Sequence, residues 1–166
     1  MPTLYTIGYQ GRSLADLLGL LQSAGVDAVI DVRLRNTSHL AGFTKRDDLA
    51  FLLQQGFGIA YEHHLELAPT PEILDAYTAD HDWQRYTQGF ELLLAERQSE
   101  LVGRDVLGRF HAPCLLCSER LPDQCHRRLI AECWAGHIPE CTLVHLGTGH
   151  PKNSPRRRKG RQVSDS

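Results

Sequence analysis

Val26-Asp27-Ala28-Val29-Ile30-Asp31-Val32 decides the fold. The run has the length of a strand and is apolar except at its two aspartates. It does not alternate as a strand with one wet face would, so it reads as a strand covered on both faces, the mark of a parallel sheet. Upstream, Leu4-Tyr5-Thr6-Ile7 is β-prone and broken by Gly8 and Gly11. Between the two strands, Ser13 and Asp16 form a helix-start pattern. Leu14, Leu17, Leu18, Leu21 and Ala24 then follow at helical spacing until Gly25.

The alternation continues downstream. Thr44 and Asp47 form a second capping pattern, followed by Leu49, Phe51, Leu52 and Leu53 and closed by Gly56; Ile59-Ala60-Tyr61 reads as a third strand. From Pro71 to about Arg104 the spacing predicts two helices, interrupted near Asp80-His81-Asp82. Cys114-Leu115-Leu116-Cys117 is a fourth strand, 124–135 a helix closed by Gly136, and Thr142 to Leu146 a fifth strand. Strands alternating with helices require right-handed crossovers. The expected architecture is therefore a single α/β domain over residues 1–150, a mostly parallel sheet of about five strands with helices on both faces.

Composition narrows the classes. With 166 residues and 42% hydrophobic content the chain can fill one core and has little left for a second. No run of about 18 uncharged apolar residues occurs, and Met1-Pro2-Thr3-Leu4 lacks a basic-then-apolar signal, so a cytoplasmic protein without a membrane span is expected. Five cysteines (Cys114, Cys117, Cys125, Cys133 and Cys141) make an odd number that does not suit a secreted disulfide framework. Residues 1–150 carry 12 Lys and Arg against 19 Asp and Glu, while 151–166 carry 6 against 1. An acidic body thus precedes a basic tail, which is expected to be disordered because Gly, Pro, Ser and Arg replace apolar residues there.

In open parallel sheets ligands bind beyond the carboxyl ends of the strands. Asp31 and Arg33 stand there after the second strand, two apart and thus on one side; as a bland alternative they form a structural ion pair. Cys117 and Glu119 repeat the spacing after the fourth strand. With Asp123 or Gln124 as cap, Cys125-His126-Arg127 would fill the first turn of the following helix. The helix dipole and arginines there favour a thiolate, which makes Cys125 the nucleophile candidate. The competing structural reading has Cys125 filling core, His126 bonded to backbone and the arginines neutralising acidic surface. Tyr9 and His145 could join the same edge; Trp83, Tyr86 and Phe90 read as a packing stripe, and His63-His64 as surface.

Cys114-x-x-Cys117 with Cys125 and His126 also supplies four potential zinc ligands. Residues three apart in a strand point to opposite faces, so a strand at 114–117 argues against that set and no metal ligand is assigned. Cys114 and Arg120 match a phosphatase spacing, but Leu115-Leu116 cannot cradle phosphate, and Gly8-x-x-Gly11 is too short for a dinucleotide fingerprint.

Thr6-Ile7-Gly8-Tyr9, Asp31-Val32-Arg33, Gly42-Phe43, and Leu116-Cys117-Ser118-Glu119 leading to Cys125-His126-Arg127 together resemble the family catalogued as domain of unknown function 488, from about residue 3 to residue 146. The resemblance implies a small cytoplasmic α/β protein found mainly in prokaryotes, and brings no established activity or cofactor. Its polar motifs fall on Asp31, Arg33, Cys117, Glu119, Cys125, His126 and Arg127. Where relatives often have Leu-Gly-Gly or Leu-Gly-x-Pro after the third strand, this chain has Leu67-Ala68-Pro69-Thr70, so that loop is expected to differ.

The leading expectation is an enzyme for an anionic small molecule or nucleotide component. Cys125, Glu119, Cys117 and Asp31 would carry the chemistry, and Arg33, His126, Arg127 and Tyr9 would hold the anion. Two other readings stay open: a nucleic-acid-associated module using Arg156-Arg157-Arg158-Lys159-Gly160-Arg161, and a metal protein using Cys117, Cys125 and His126. Oligomeric state is not legible in the sequence.

Overall fold

A computed structural model of the chain describes residues 1–37 and 39–148, the side chains of 39–41 excepted. The basic tail expected at 151–166, and the nucleic-acid reading built on it, lie outside the described residues. Five strands, β1 (Thr3–Gly8), β2 (Ala28–Asp31), β3 (Ala60–His63), β4 (Pro113–Cys117) and β5 (Thr142–His145), form one sheet in the order β3-β2-β4-β1-β5. Every neighbouring pair is parallel. All four residues of β2 are buried, as a strand covered on both faces requires. Asp27, just before it, accepts hydrogen bonds from the backbone N–H groups of His111 and Ala112, which explains a carboxylate at the amino end of the run.

Six helices lie among the described residues: α1 (Leu14–Ser23), α2 (Arg46–Phe51), α3 (Pro71–Asp80), α4 (Trp83–Glu96), α5 (Ser99–Arg109) and α6 (His126–His137). The Ser13 hydroxyl caps α1 by accepting from the Asp16 N–H, and Gly25 leaves the helix with φ at +69°. α2 begins one residue later than its capping pattern suggests, with Lys45 at the cap and no side-chain bond to it, and widens into a π turn at Leu52–Gly56. The span expected to hold two helices holds three. Its second break falls at Gln98, which adopts φ +51° without a glycine or proline to announce it.

Two cores flank the sheet. Leu17, Leu21, Leu49 and Leu53 from α1, α2 and the π turn that follows it pack on Ile7, Val29, Cys114 and Leu116. On the other face Phe90, Leu94, Val106, Ile130 and Trp134 from α4, α5 and α6 pack on Leu4, Ile30, Leu115 and Cys117. Cys114 and Cys117 therefore lie on opposite faces, as strand geometry demands, which removes the four-ligand zinc set and the Cys114–Arg120 phosphate loop together. The chain leaves β2 toward the first layer and β4 toward the second. Such a divergence between neighbouring parallel strands opens a crevice at their carboxyl ends, the topological switch point.

Candidate functional site

Beyond the ends of β2 and β4 lies a cavity of about 320 Å³. Arg33, Leu34 and Arg35 line it from the loop after β2, Cys117, Ser118 and Glu119 from the loop after β4, and Gln124, Cys125 and His126 from the start of α6. Its outer wall comes from Tyr77 and Thr78 of α3, His81 at its C-cap, and Trp83 and Tyr86 of α4, and Pro69 adds the loop after β3. The Leu67-Ala68-Pro69-Thr70 loop thus reaches the cavity edge. Thr70 caps α3 by accepting from the Ile73 N–H, and Pro71 occupies its first turn.

The β2 side is an interlocked charge network. The Arg33 Nε and Nη2 groups donate to the two oxygens of Asp31 at 2.9 and 2.7 Å, and the Arg33 backbone N–H donates to the same carboxylate. Asn36 and the Tyr61 hydroxyl also donate to Asp31, the latter at 2.5 Å. Burial would raise the Asp31 pKa, but the hydrogen bonds and charge of Arg33 outweigh it and hold it below the ordinary value. Burial would likewise lower Arg33, and Asp31 holds it above its ordinary value instead. Arg33 Nη2 further donates to the Thr44 carbonyl, and Tyr9 lays its ring 5.2 Å from the guanidinium carbon. His63 reaches the Arg33 carbonyl at 2.9 Å, so it is not the bland surface residue expected. Asp31 is fully buried and outside the cavity lining, so the structural ion pair offered as the alternative reading is present. Arg33 is 4% exposed, and its Nη1 makes no hydrogen bond among the described residues.

The β4 side gathers softer groups. Cys117 Sγ, Cys125 Sγ and a ring nitrogen of His126 lie within 4.8 Å of one another, all three residues buried. The His126 Nε2 faces the Val32 carbonyl at 2.7 Å, and because a carbonyl only accepts, Nε2 carries the proton. In the neutral ring the Nδ1 lone pair is then turned to Cys117 Sγ, 3.6 Å away. Cys125 is the cap residue of α6 with an extended backbone, not a residue of its first turn, and its side chain makes no cap bond. This changes the chemistry expected of it. Burial first, and then the neighbouring Cys117, push its thiol well above the ordinary range. Cys117 is the lowered thiol, held down by the hydrogen bond from Cys125 against the effect of burial, with His126 adding to it. The two thiols therefore act on each other, and Cys117 Sγ is the one that faces the His126 ring.

Arg127 also departs from expectation. It is fully buried, and its guanidinium donates to the carbonyls of Glu119 and Arg120 and to the Thr6 hydroxyl, so it shapes the loop after β4 and does not line the cavity. Gly8 is required for that loop to close, since a Cβ there would stand 1.6 Å from the Glu119 carbonyl oxygen. Glu119 itself is exposed at the cavity mouth. His145 binds the Thr6 hydroxyl at 2.6 Å and does not line the cavity. The aromatic stripe packs as expected, with Tyr86 and Phe90 in the core and Trp83 against it, and Trp83 and Tyr86, stacked on each other, also line the cavity. Asn36, Tyr61, Tyr77 and Gln124 join the site unannounced. Only Tyr61, on a strand beside β2, carried a positional signal.

No curated protein and no solved structure matches the chain. The family model described as Domain of unknown function DUF488 matches residues 13–134, a span that holds β2, β4, most of α6 and every cavity-lining residue, and the chain belongs to that family.

Proposed function

We propose that the protein is an enzyme of the prokaryotic cytoplasm that takes a small anionic substrate, a nucleotide or related compound, into this cavity. The anion sits on Arg33, and the reacting atom meets the Cys117–Cys125–His126 cluster, with Glu119 at the mouth placed to carry a proton. One observation carries the reading. The Arg33 guanidinium, buried to 96%, has no hydrogen-bond partner for Nη1 among the described residues, and Arg33 lines the same cavity as Cys117, Cys125 and His126. A buried polar group left unpaired costs stability, and an incoming anion removes that cost while taking a charge-assisted hydrogen bond. The aromatic wall of Tyr77, Trp83 and Tyr86 offers a flat apolar partner to the other end of such a substrate. Five unpaired cysteines suit a reducing compartment.

The test uses the full chain and two probes, inorganic phosphate and adenosine monophosphate, followed by calorimetry. Arg33→Lys keeps a cation opposite Asp31 and removes the free arm of the fork. Saturable binding to the wild type that weakens at least tenfold in Arg33→Lys supports the reading. Absence of saturable binding by either probe sinks it, as does affinity unchanged by the substitution. Binding that persists in Arg33→Lys but disappears when residues 151–166 are removed belongs to the tail, and also overturns it.

A further inference from the structure

The geometry points to a mononuclear zinc site at Cys117, Cys125 and His126, its fourth position open to the cavity. Two thiols and one imidazole are the donor set of an open zinc centre, in which three protein ligands leave one position for water or substrate. The spacing fits. Tetrahedral angles with Zn–S of about 2.3 Å and Zn–N of about 2.0–2.1 Å place sulfur and nitrogen about 3.6 Å apart. Cys117 Sγ and His126 Nδ1 stand at 3.6 Å. Cys125 Sγ lies within 4.8 Å of both, so a small side-chain movement completes the set.

The second supporting observation is the histidine's other nitrogen. Metal-bound histidines characteristically donate their remaining ring N–H to a carbonyl or carboxylate, which fixes the tautomer and aims the free lone pair. The bond from His126 Nε2 to the Val32 carbonyl does this and ties the ligand to β2, the strand that bears Arg33. The three ligands come from the last residue of β4, the cap of α6 and its first helical residue, so the fold holds them together before any ion arrives. Charge balance agrees: two thiolates and a neutral imidazole around Zn²⁺ leave no net charge in a buried place, and zinc binding displaces the thiol protons. This set is distinct from the Cys114-x-x-Cys117 knuckle, which the strand excludes. The inference rests on the proposed function only in giving the open position a substrate to meet; zinc binding stands or falls by itself.

Full-length protein purified under reducing conditions and supplied with zinc is expected to hold about one equivalent by elemental analysis. Replacement by Co²⁺ should give a thiolate-to-metal charge-transfer band and the intense visible bands of tetrahedral cobalt. Cys117→Ser and Cys125→Ser should each lose at least nine-tenths of the bound zinc, while Cys133→Ser keeps it. Chelator removal and readdition of zinc to the wild type, followed by cobalt spectra and circular dichroism, decides the matter where a serine variant does not fold. A folded wild type that holds less than a tenth of an equivalent overturns the proposal, as does zinc retained in both folded serine variants or cobalt without thiolate bands. Phosphate binding through Arg33 with no metal would leave the proposed function standing and remove this inference; one zinc without anion binding would do the reverse.

Discussion

The carboxyl ends of β2 and β4 are built on one pattern, two polar residues two positions apart of which the first ends a buried strand, and they finish in opposite states. At β2, Asp31 accepts from Arg33, Asn36 and Tyr61, and its lone pairs are spent. At β4, Cys117 and Cys125 hold polarizable sulfurs in a buried place beside one imidazole, whose Nδ1 faces Cys117. A fully satisfied buried network resists change and positions its neighbours, whereas a partly satisfied one has donors to spare for a ligand. The β2 end is thus the fixed frame and the β4 end keeps two thiols and an imidazole at the cavity, while Arg33 Nη1 is the arm of the frame that has no hydrogen bond among the described residues. Two of the three buried arginines divide the same way. Arg127 is used up by loop carbonyls, and Arg33 is not.

If the β2 end is the frame, removing its anion must have the largest effect on stability. Asp31→Ala leaves Arg33 buried without its counter-charge and is expected to cost about 3–5 kcal/mol in denaturant unfolding. A loss below about 1 kcal/mol would erase the distinction between the two ends. The acid limb gives an independent check. Because the folded pKa of Asp31 is lowered below its ordinary value near 3.8, its stabilisation is fully present above that value and is lost as pH falls through the lowered folded pKa. The wild type should therefore lose stability below about pH 4 more steeply than Asp31→Asn, whose acid limb is flatter.

Gly8→Ala strikes the β4 end without touching the network at β2. Its Cβ would meet the backbone carbonyl of Glu119 at 1.6 Å, a contact that no rotamer change relieves, and the loop held by Arg127 must move. A cost of about 2–3 kcal/mol is expected, together with weakened anion binding, because Ser118 and Glu119 shift at the cavity rim. Normal stability with normal binding would show that the loop's placement is not part of the site. Tyr61→Phe is milder. It deletes one of several donors to Asp31 and should cost about 1.5 kcal/mol, read from the unfolding midpoint, with the cavity chemistry unchanged.

The strands and the two-layered cover were legible because burial on both faces leaves its trace in composition, and β2 shows it over four consecutive buried residues. The break between α4 and α5 was not, because Gln98 takes a left-handed conformation that its side chain does nothing to signal, while Arg97 anchors the turn on the carbonyls of Glu66 and Ala68 across the fold. At the site, strand periodicity brought Asp31, Arg33, Cys117 and Glu119 to one edge. It could not show that Asp31 would be consumed by Arg33, or that Arg127, adjacent to two cavity residues, would turn to its own loop. The titration of Cys125 depended on one residue of helix register. At the cap its sulfur meets Cys117, and the expected benefit of a first-turn position is outweighed by burial. Trp83 and Tyr86 follow the same helical stripe as Phe90, and the stripe could not show that its first two residues would line the cavity while packing on the core.

The smallest expected effect separates a residue that serves chemistry from one that serves the frame. Glu119 is exposed and lines the cavity through its side of the loop, while its backbone carbonyl is the part that Arg127 holds. Glu119→Gln keeps the backbone and the shape and removes only the carboxylate, so the unfolding free energy should change by less than about 0.5 kcal/mol. Loss of a nearby negative charge should at the same time tighten phosphate binding at Arg33 slightly, an effect that fades as salt is raised. A destabilisation above about 1 kcal/mol would mean that the carboxylate belongs to the frame, and the contrast between the two strand ends would then stop at Cys117.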